Sequence, residues 1–174
     1  MNHHENNIKQ QDISLHEEML RMRVKTQGDS AHHLEVITEQ RGVNWINHSI
    51  ATSVDLVWMA LRDVPGSVVL IIGGTDRADD HQKLTSLAGE KVSAVICLGS
   101  TPWKYFKTFA DHVPMIIQAV DLKDAVDNAA ILARGEVKTV LFAPGCPSYD
   151  PFDNYKNRGN RFRSTVLQKF SVNQ

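Results

Sequence analysis

This sequence has no excess of charge of either sign: 19 Lys and Arg stand against 20 Asp and Glu, a formal net charge of −1. No global field therefore draws in nucleic acid or an anionic membrane, and neither is expected as a partner. Long hydrophobic runs are also missing. No apolar stretch approaches the roughly 20 residues of a membrane span, and the polar opening MNHHENNIKQQD has no signal-peptide pattern. The 2 cysteines, Cys97 and Cys146, lie far apart and without metal-ligand spacing. They read as reduced thiols of a cytoplasmic protein, with Cys97 a small hydrophobe inside an apolar run. The phosphate-loop pattern G-x-x-x-x-G-K-[ST] occurs nowhere, and Gly73-Gly74-Thr75-Asp76-Arg77 does not replace it. Ser148 has no sequence-adjacent base for a triad, and the 8 histidines form no zinc pattern with Cys or Asp. No catalytic residue and no metal ligand is assigned.

What is present is an ordinary globular composition, 42% hydrophobic and 22% charged over 174 residues, enough for one domain with a substantial core. Residues 1–31 read as a polar flexible tail, a short helix from Ile13 to about Val24, and a linker at Gln27-Gly28-Asp29-Ser30. The domain is expected over 32–174. Leu34–Thr38 and Val43–Ile46 read as strands joined at Gln40-Arg41-Gly42. Short Val/Ile-rich runs follow at Val68–Ile72, Ala94–Leu98, Met115–Gln118 and Thr139–Phe142. Helix-like segments separate them at about 53–63, 81–89, 102–111 and 122–134, with another near 160–170. Thr101 before Pro102 and Asp121 before Leu122 look like helix N-caps. His81 and His112 read as surface positions. Strands separated by helices imply an α/β, Rossmann-like three-layer sandwich with a mainly parallel sheet of five or six strands.

Ligands of such sheets bind beyond the carboxyl ends of the strands. The loops Asn47–Ser53, Gly73–Asp80 and Ala143–Tyr155 leave strands in that direction and should converge if those strands are neighbours. Gly73-Gly74 allows close approach to a ligand, and Arg77 can pair with its carboxylate or phosphate. Arg77 could equally pair with Asp76, Asp79 or Asp80. The last loop is stiffened by Pro144, Pro147 and Pro151. Asp150 could cap a helix, and Phe152, Tyr155 and Phe162 could fill core.

Read together, these blocks resemble the C-terminal domain of the Mur ligases, most of all the branch that adds D-glutamate. The family motif N-D-S-K-A-T-N appears as Asn47-His48-Ser49-Ile50-Ala51-Thr52-Ser53, and G-G-x-x-K as Gly73-Gly74-Thr75-Asp76-Arg77. The family's S-P-A-C-A-S-x-D-x-F-x-N-[FY]-x-x-R-G-x-x-F appears as Ala143–Tyr155 running on to Arg158-Gly159 and Phe162, and P-H-R-x-E as Ala31-His32-His33-Leu34-Glu35. The resemblance implies an ATP-dependent ligase of peptidoglycan-precursor synthesis with three domains. The first two, for the UDP-precursor and the P-loop ATPase, have no counterpart in these 174 residues.

The resemblance also sorts the residues. Positions implied to hold D-glutamate are Thr52, Arg77 (lysine in the family), Ser148, Tyr149 (apolar in the family) and Tyr155. Positions implied to lie on the nucleotide side are His32, His33, His48, Ile50 and Arg158, and three of them depart from the family: Asp becomes His48, Lys becomes Ile50 and Arg becomes His33. Losing a cation that faces phosphate weakens nucleotide contacts. The expectation is a degenerate stand-alone domain that binds a small acidic ligand such as D-glutamate or a muropeptide fragment. It needs no cofactor of its own, ATP and magnesium belonging to the intact family. The alternatives are a split ligase completed by a separate ATPase-domain chain, and a non-catalytic structural module.

Overall fold

Arg41 and Gly42 both take left-handed backbone angles, φ 54° and 78°. That pair of positive φ values closes a two-residue hairpin between β1 (Glu35–Gln40) and β2 (Val43–Asn47). The computed structural model describes residues 31–74, 80–99, 102–148 and 152–171. The expectations for residues 1–30, and for Thr101 as an N-cap, lie outside them.

Beyond the hairpin the chain alternates. Helix α1 (Val54–Asp63) leads to β3 (Ser67–Gly73), a 3-10 turn (His81–Leu84) and α2 (Thr85–Lys91). Then come β4 (Val92–Leu98), α3 (Pro102–Phe109), β5 (Ile116–Ala119) and α4 (Leu122–Leu132). Strand β6 (Val137–Phe142) and α5 (Tyr155–Ser171) complete the described elements. Caps fix the helix starts: Ser53 Oγ accepts from Leu56 N–H, and Asp121 Oδ1 from Asp124 N–H at 2.8 Å. The carboxyl end of α1 is held by Lys91, whose Nζ donates to the carbonyls of Leu61 at 2.6 Å and Val64 at 2.5 Å.

The strands form one six-stranded sheet in the order β1-β2-β6-β3-β4-β5. Only β1 runs antiparallel to its neighbour; the other pairings are parallel. Both faces are covered, as continuous apolar strands require. Val57, Leu61, Ala88 and Phe109 pack α1–α3 on one face. Ala125, Ala129, Phe162 and Val166 pack α4 and α5 on the other. Phe142 stacks on Phe162 with centroids 4.3 Å apart, locking β6 to α5. Cys97 is fully buried in the core, and burial pushes its thiol pKa up to about 12. It is inert packing, as its apolar context suggested.

Two local expectations are corrected. His81 is not a surface residue: it is 5% exposed and meets Tyr105 edge-on at 4.9 Å. The segment opens as a 3-10 turn, where positions three apart share a face, so His81 sits with buried Leu84. The last helix begins at Tyr155 rather than near 160. Asn154 Oδ1 accepts from Asn157 N–H at 2.9 Å and starts it, while Asn157, Gly159 and Asn160 mask the helical signal.

Candidate functional site

Strand β6 lies between β2 and β3, so the loops that leave these three strands emerge side by side. The chain turns toward α1 after β2 and toward α2 after β3, but toward α5 on the opposite face after β6. Loops that part to opposite faces open a crevice between them. The backbone ties this edge together. His48 N–H donates to Phe142 O at 2.8 Å, Gly145 N–H to Ala51 O at 2.9 Å, and Gly73 N–H to Pro144 O at 2.9 Å.

Arg158, on the first turn of α5, is 3% exposed and points into this junction. Its Nη1 donates to the carbonyls of Cys146 at 2.8 Å and Pro147 at 3.3 Å, and its Nη2 to Ser49 O at 2.9 Å. One guanidinium thus joins the loop after β2 to the loop after β6. Burial lowers its pKa, though a guanidinium keeps its charge at neutral pH. Gly159 follows for want of room: a Cβ there would lie 2.2 Å from both Ser49 Oγ and His32 Nδ1.

Asn47 is a second hub, fully buried at the end of β2. Its Oδ1 accepts from Ser49 N–H at 3.1 Å, which leaves Nδ2 as donor to Glu35 Oε2 at 2.9 Å and to His32 Nδ1 at 3.1 Å. His32 Nδ1 is therefore an acceptor, and the ring carries its proton on Nε2. Burial lowers the pKa of His32, opposed by Glu35. Glu35 also accepts from His32 N–H at 3.1 Å and pairs with Arg163. Neither Asn47 nor Glu35 stood among the candidate residues. Both open or close quoted blocks, and the missed signal was that a polar side chain at a strand end needs buried partners.

His48 is 2% exposed, and its Nδ1 accepts from Leu34 N–H at 3.1 Å. That bond matters because Leu34 and His32 both hold left-handed angles, φ 47° and 77°, which side chains resist. Burial, reinforced by nearby His33, pushes the pKa of His48 down to about 4. His33 is exposed, its ring 5.1 Å from that of His48. Ile50 is half-buried and donates its N–H to His32 O at 3.2 Å.

On the other side of the junction, Thr52 is half-buried in the loop after β2. Tyr155 is half-buried at the start of α5, its ring edge-on to His32 at 6.1 Å. Ser148 is 6% exposed, and its Oγ has no hydrogen-bond partner among the described residues. Arg77, Tyr149 and Asp150 lie outside the described residues. Among those described, no group of His, Cys, Asp and Glu is arranged to hold a metal ion, and no helix is long and apolar enough to cross a membrane.

Sequence relatives decide the kinship. Over 145 residues the chain is 38% identical to UDP-N-acetylmuramoylalanine–D-glutamate ligase of Cytophaga hutchinsonii, a match covering 83% of this chain and 32% of that one. The Porphyromonas gingivalis ligase of the same name is 40% identical over 137 residues, covering 78% and 30%. The chain is a homologue of the C-terminal region of the D-glutamate-adding Mur ligases. It spans about a third, 29–32%, of the length of the curated relatives it matches. No family model matches it.

Solved structures agree on the fold. The MurF ligase of Thermotoga maritima, solved with ADP, superposes with a TM-score of 0.52 at 13% identity, over 86% of this chain and 33% of that one. A folylpolyglutamate synthase from the same organism also gives 0.52, at 12% identity, over 85% and 32%. The α/β sandwich of Mur ligases is therefore the fold of this domain, with the motif-bearing loops after β2 and β6 on one edge of its sheet.

Proposed function

We propose that this domain binds a small acidic ligand of the D-glutamate class in the crevice at the carboxyl edge of β2, β6 and β3. Thr52, Ser148, Tyr149 and Tyr155 would line it, and Arg77 would anchor the ligand carboxylate. The observation that carries this reading is the Ser148 hydroxyl, buried at that edge with no partner among the described residues. An unsatisfied buried polar group costs about 1–3 kcal/mol, and a ligand oxygen would offset that cost.

The nucleotide side supports the same reading by its misfit to ATP and magnesium. The acceptor nitrogen of His48 is taken by Leu34 N–H, Ile50 offers no charge, and the guanidinium of Arg158 is engaged by carbonyls. The domain would thus act as a degenerate ligand-binding member of the peptidoglycan-precursor ligases, in the cytoplasm, where cysteines stay reduced.

A thermal-shift panel on the 174-residue polypeptide tests this reading. D-glutamate or a D-glutamyl muropeptide at ten times its Kd should add about 1.4 kcal/mol of stability, and ATP with magnesium should add none. ATP hydrolysis should not exceed that of a heat-killed control, since the polypeptide has no P-loop to make an acyl phosphate. Stabilisation by ATP alone, or turnover by the unaided polypeptide, would overturn it.

A further inference from the structure

At the opposite, amino-terminal edge of the sheet the structure carries a second concavity. It is an open groove of about 930 Å³ between the β1–β2 turn, the end of α4, the start of β6 and the end of α5. Its lining includes the basic residues Arg41, Arg134, Lys138 and Lys169, and no acidic residue. Its apolar lining includes Trp45 and Phe170, whose rings meet edge-on at 5.1 Å, and the exposed side chain of Ile131.

The charges do not cancel locally. Lys169 is held by Asp127 at 2.5 Å, but Arg41, Arg134 and Lys138 make no ion pair among the described residues. The carboxyl ends of α4 and α5 offset part of this charge, and the charged side chains of the lining itself are all basic. A volume in the range of small-molecule sites, a hydrophobic wall and an uncompensated positive rim together select one ligand chemistry. We propose that this groove is a second binding site, for a small amphipathic anion: a molecule with an apolar or aromatic body and a phosphate, sulfonate or carboxylate head. The body lies against Phe170 and Ile131, and the head is held by Arg41 and Arg134. This site stands apart from the acidic-ligand crevice and does not depend on it.

The probe is 8-anilinonaphthalene-1-sulfonate, which combines an aromatic body with one sulfonate. Titration should give saturable, blue-shifted fluorescence, and the Trp45 indole N–H resonance should move with the same midpoint. Raising the salt should weaken binding, because the rim is solvent-exposed. The double variant Arg41→Glu/Arg134→Glu should raise the dissociation constant at least tenfold, with a melting temperature close to that of wild type. If that variant does not fold, the Trp45 shift and its salt dependence in the wild type decide. Absence of saturable binding, a Trp45 resonance that stays still, or an affinity unchanged in the folded variant would overturn the proposal. Phosphatidylglycerol vesicles should neither displace the probe nor sediment the protein. If they do both, the groove is a membrane contact and the small-molecule assignment fails.

Discussion

Arg158→Ala is expected to lower the unfolding free energy by on the order of 4 kcal/mol. The side chain is 3% exposed and donates to three carbonyls, those of Ser49, Cys146 and Pro147, which belong to two different loops. Truncation leaves the buried carbonyls of Ser49 and Cys146, and the half-buried one of Pro147, without a charged donor and opens a cavity beneath α5. Arg158→Lys should recover only part of the loss, because a single ammonium cannot reproduce the planar fork that reaches both loops at once. Urea unfolding midpoints of wild type and the two variants, at unchanged m-value, give the comparison. An alanine variant within 1 kcal/mol of wild type would mean that the loops hold themselves together without the guanidinium.

Acid should destabilise the domain earlier than its carboxylates alone would. The pKa of His48 is lowered from 6.5 to about 4 by burial, so the folded state keeps the ring neutral while the unfolded chain takes up a proton. Stability from this group is fully present above pH 6.5 and is lost as the pH falls toward 4, a change of about 3 kcal/mol. The lowered pKa of His32 adds in the same direction. His48→Asn keeps an acceptor for Leu34 N–H but does not titrate. Its unfolding free energy should therefore fall less steeply than that of wild type between pH 6.5 and 4. Parallel slopes for the two proteins would remove His48 as the acid-sensitive element.

The strands were the most legible part of the sequence. The apolar runs at 68–72, 94–98 and 139–142 have few polar breaks, and the structure extends each by only two residues. The hairpin was readable because Arg41-Gly42 supplies its turn. Helix α5 starts earlier than its sequence suggests because its first turns are held by tertiary contacts of Arg158 and Gly159, against a run of poor helix formers. His81 is buried rather than at the surface because the chain makes a 3-10 turn where its spacing suggests an α-helix.

The motif blocks mark the loops at this edge of the sheet but not the hydrogen bonds within them. The resemblance implies a nucleotide-side place for Arg158 and His48. Here the guanidinium ties backbone carbonyls together, and the imidazole supports a strained backbone. Side-chain direction and burial decide those roles, and neither is written in motif spacing. Asn47 and Glu35 escaped notice for the same reason: their importance lies in which buried atoms they satisfy.

The central claim is that an acidic ligand enters the crevice beside Ser148 and is anchored by Arg77. Amide chemical-shift titration with D-glutamate tests it most directly, using wild type, Arg77→Ala and Ile50→Ala. A charge-assisted bond to a carboxylate is worth roughly 1.5–3 kcal/mol, so a ligand this small should saturate at about millimolar concentration. Resonances of 47–53, Ser148 and Tyr155 should move together in wild type and in Ile50→Ala, and stay still in Arg77→Ala. If none of them moves in wild type at high ligand concentration, or if Arg77→Ala responds as wild type does, the crevice is not an acidic-ligand site.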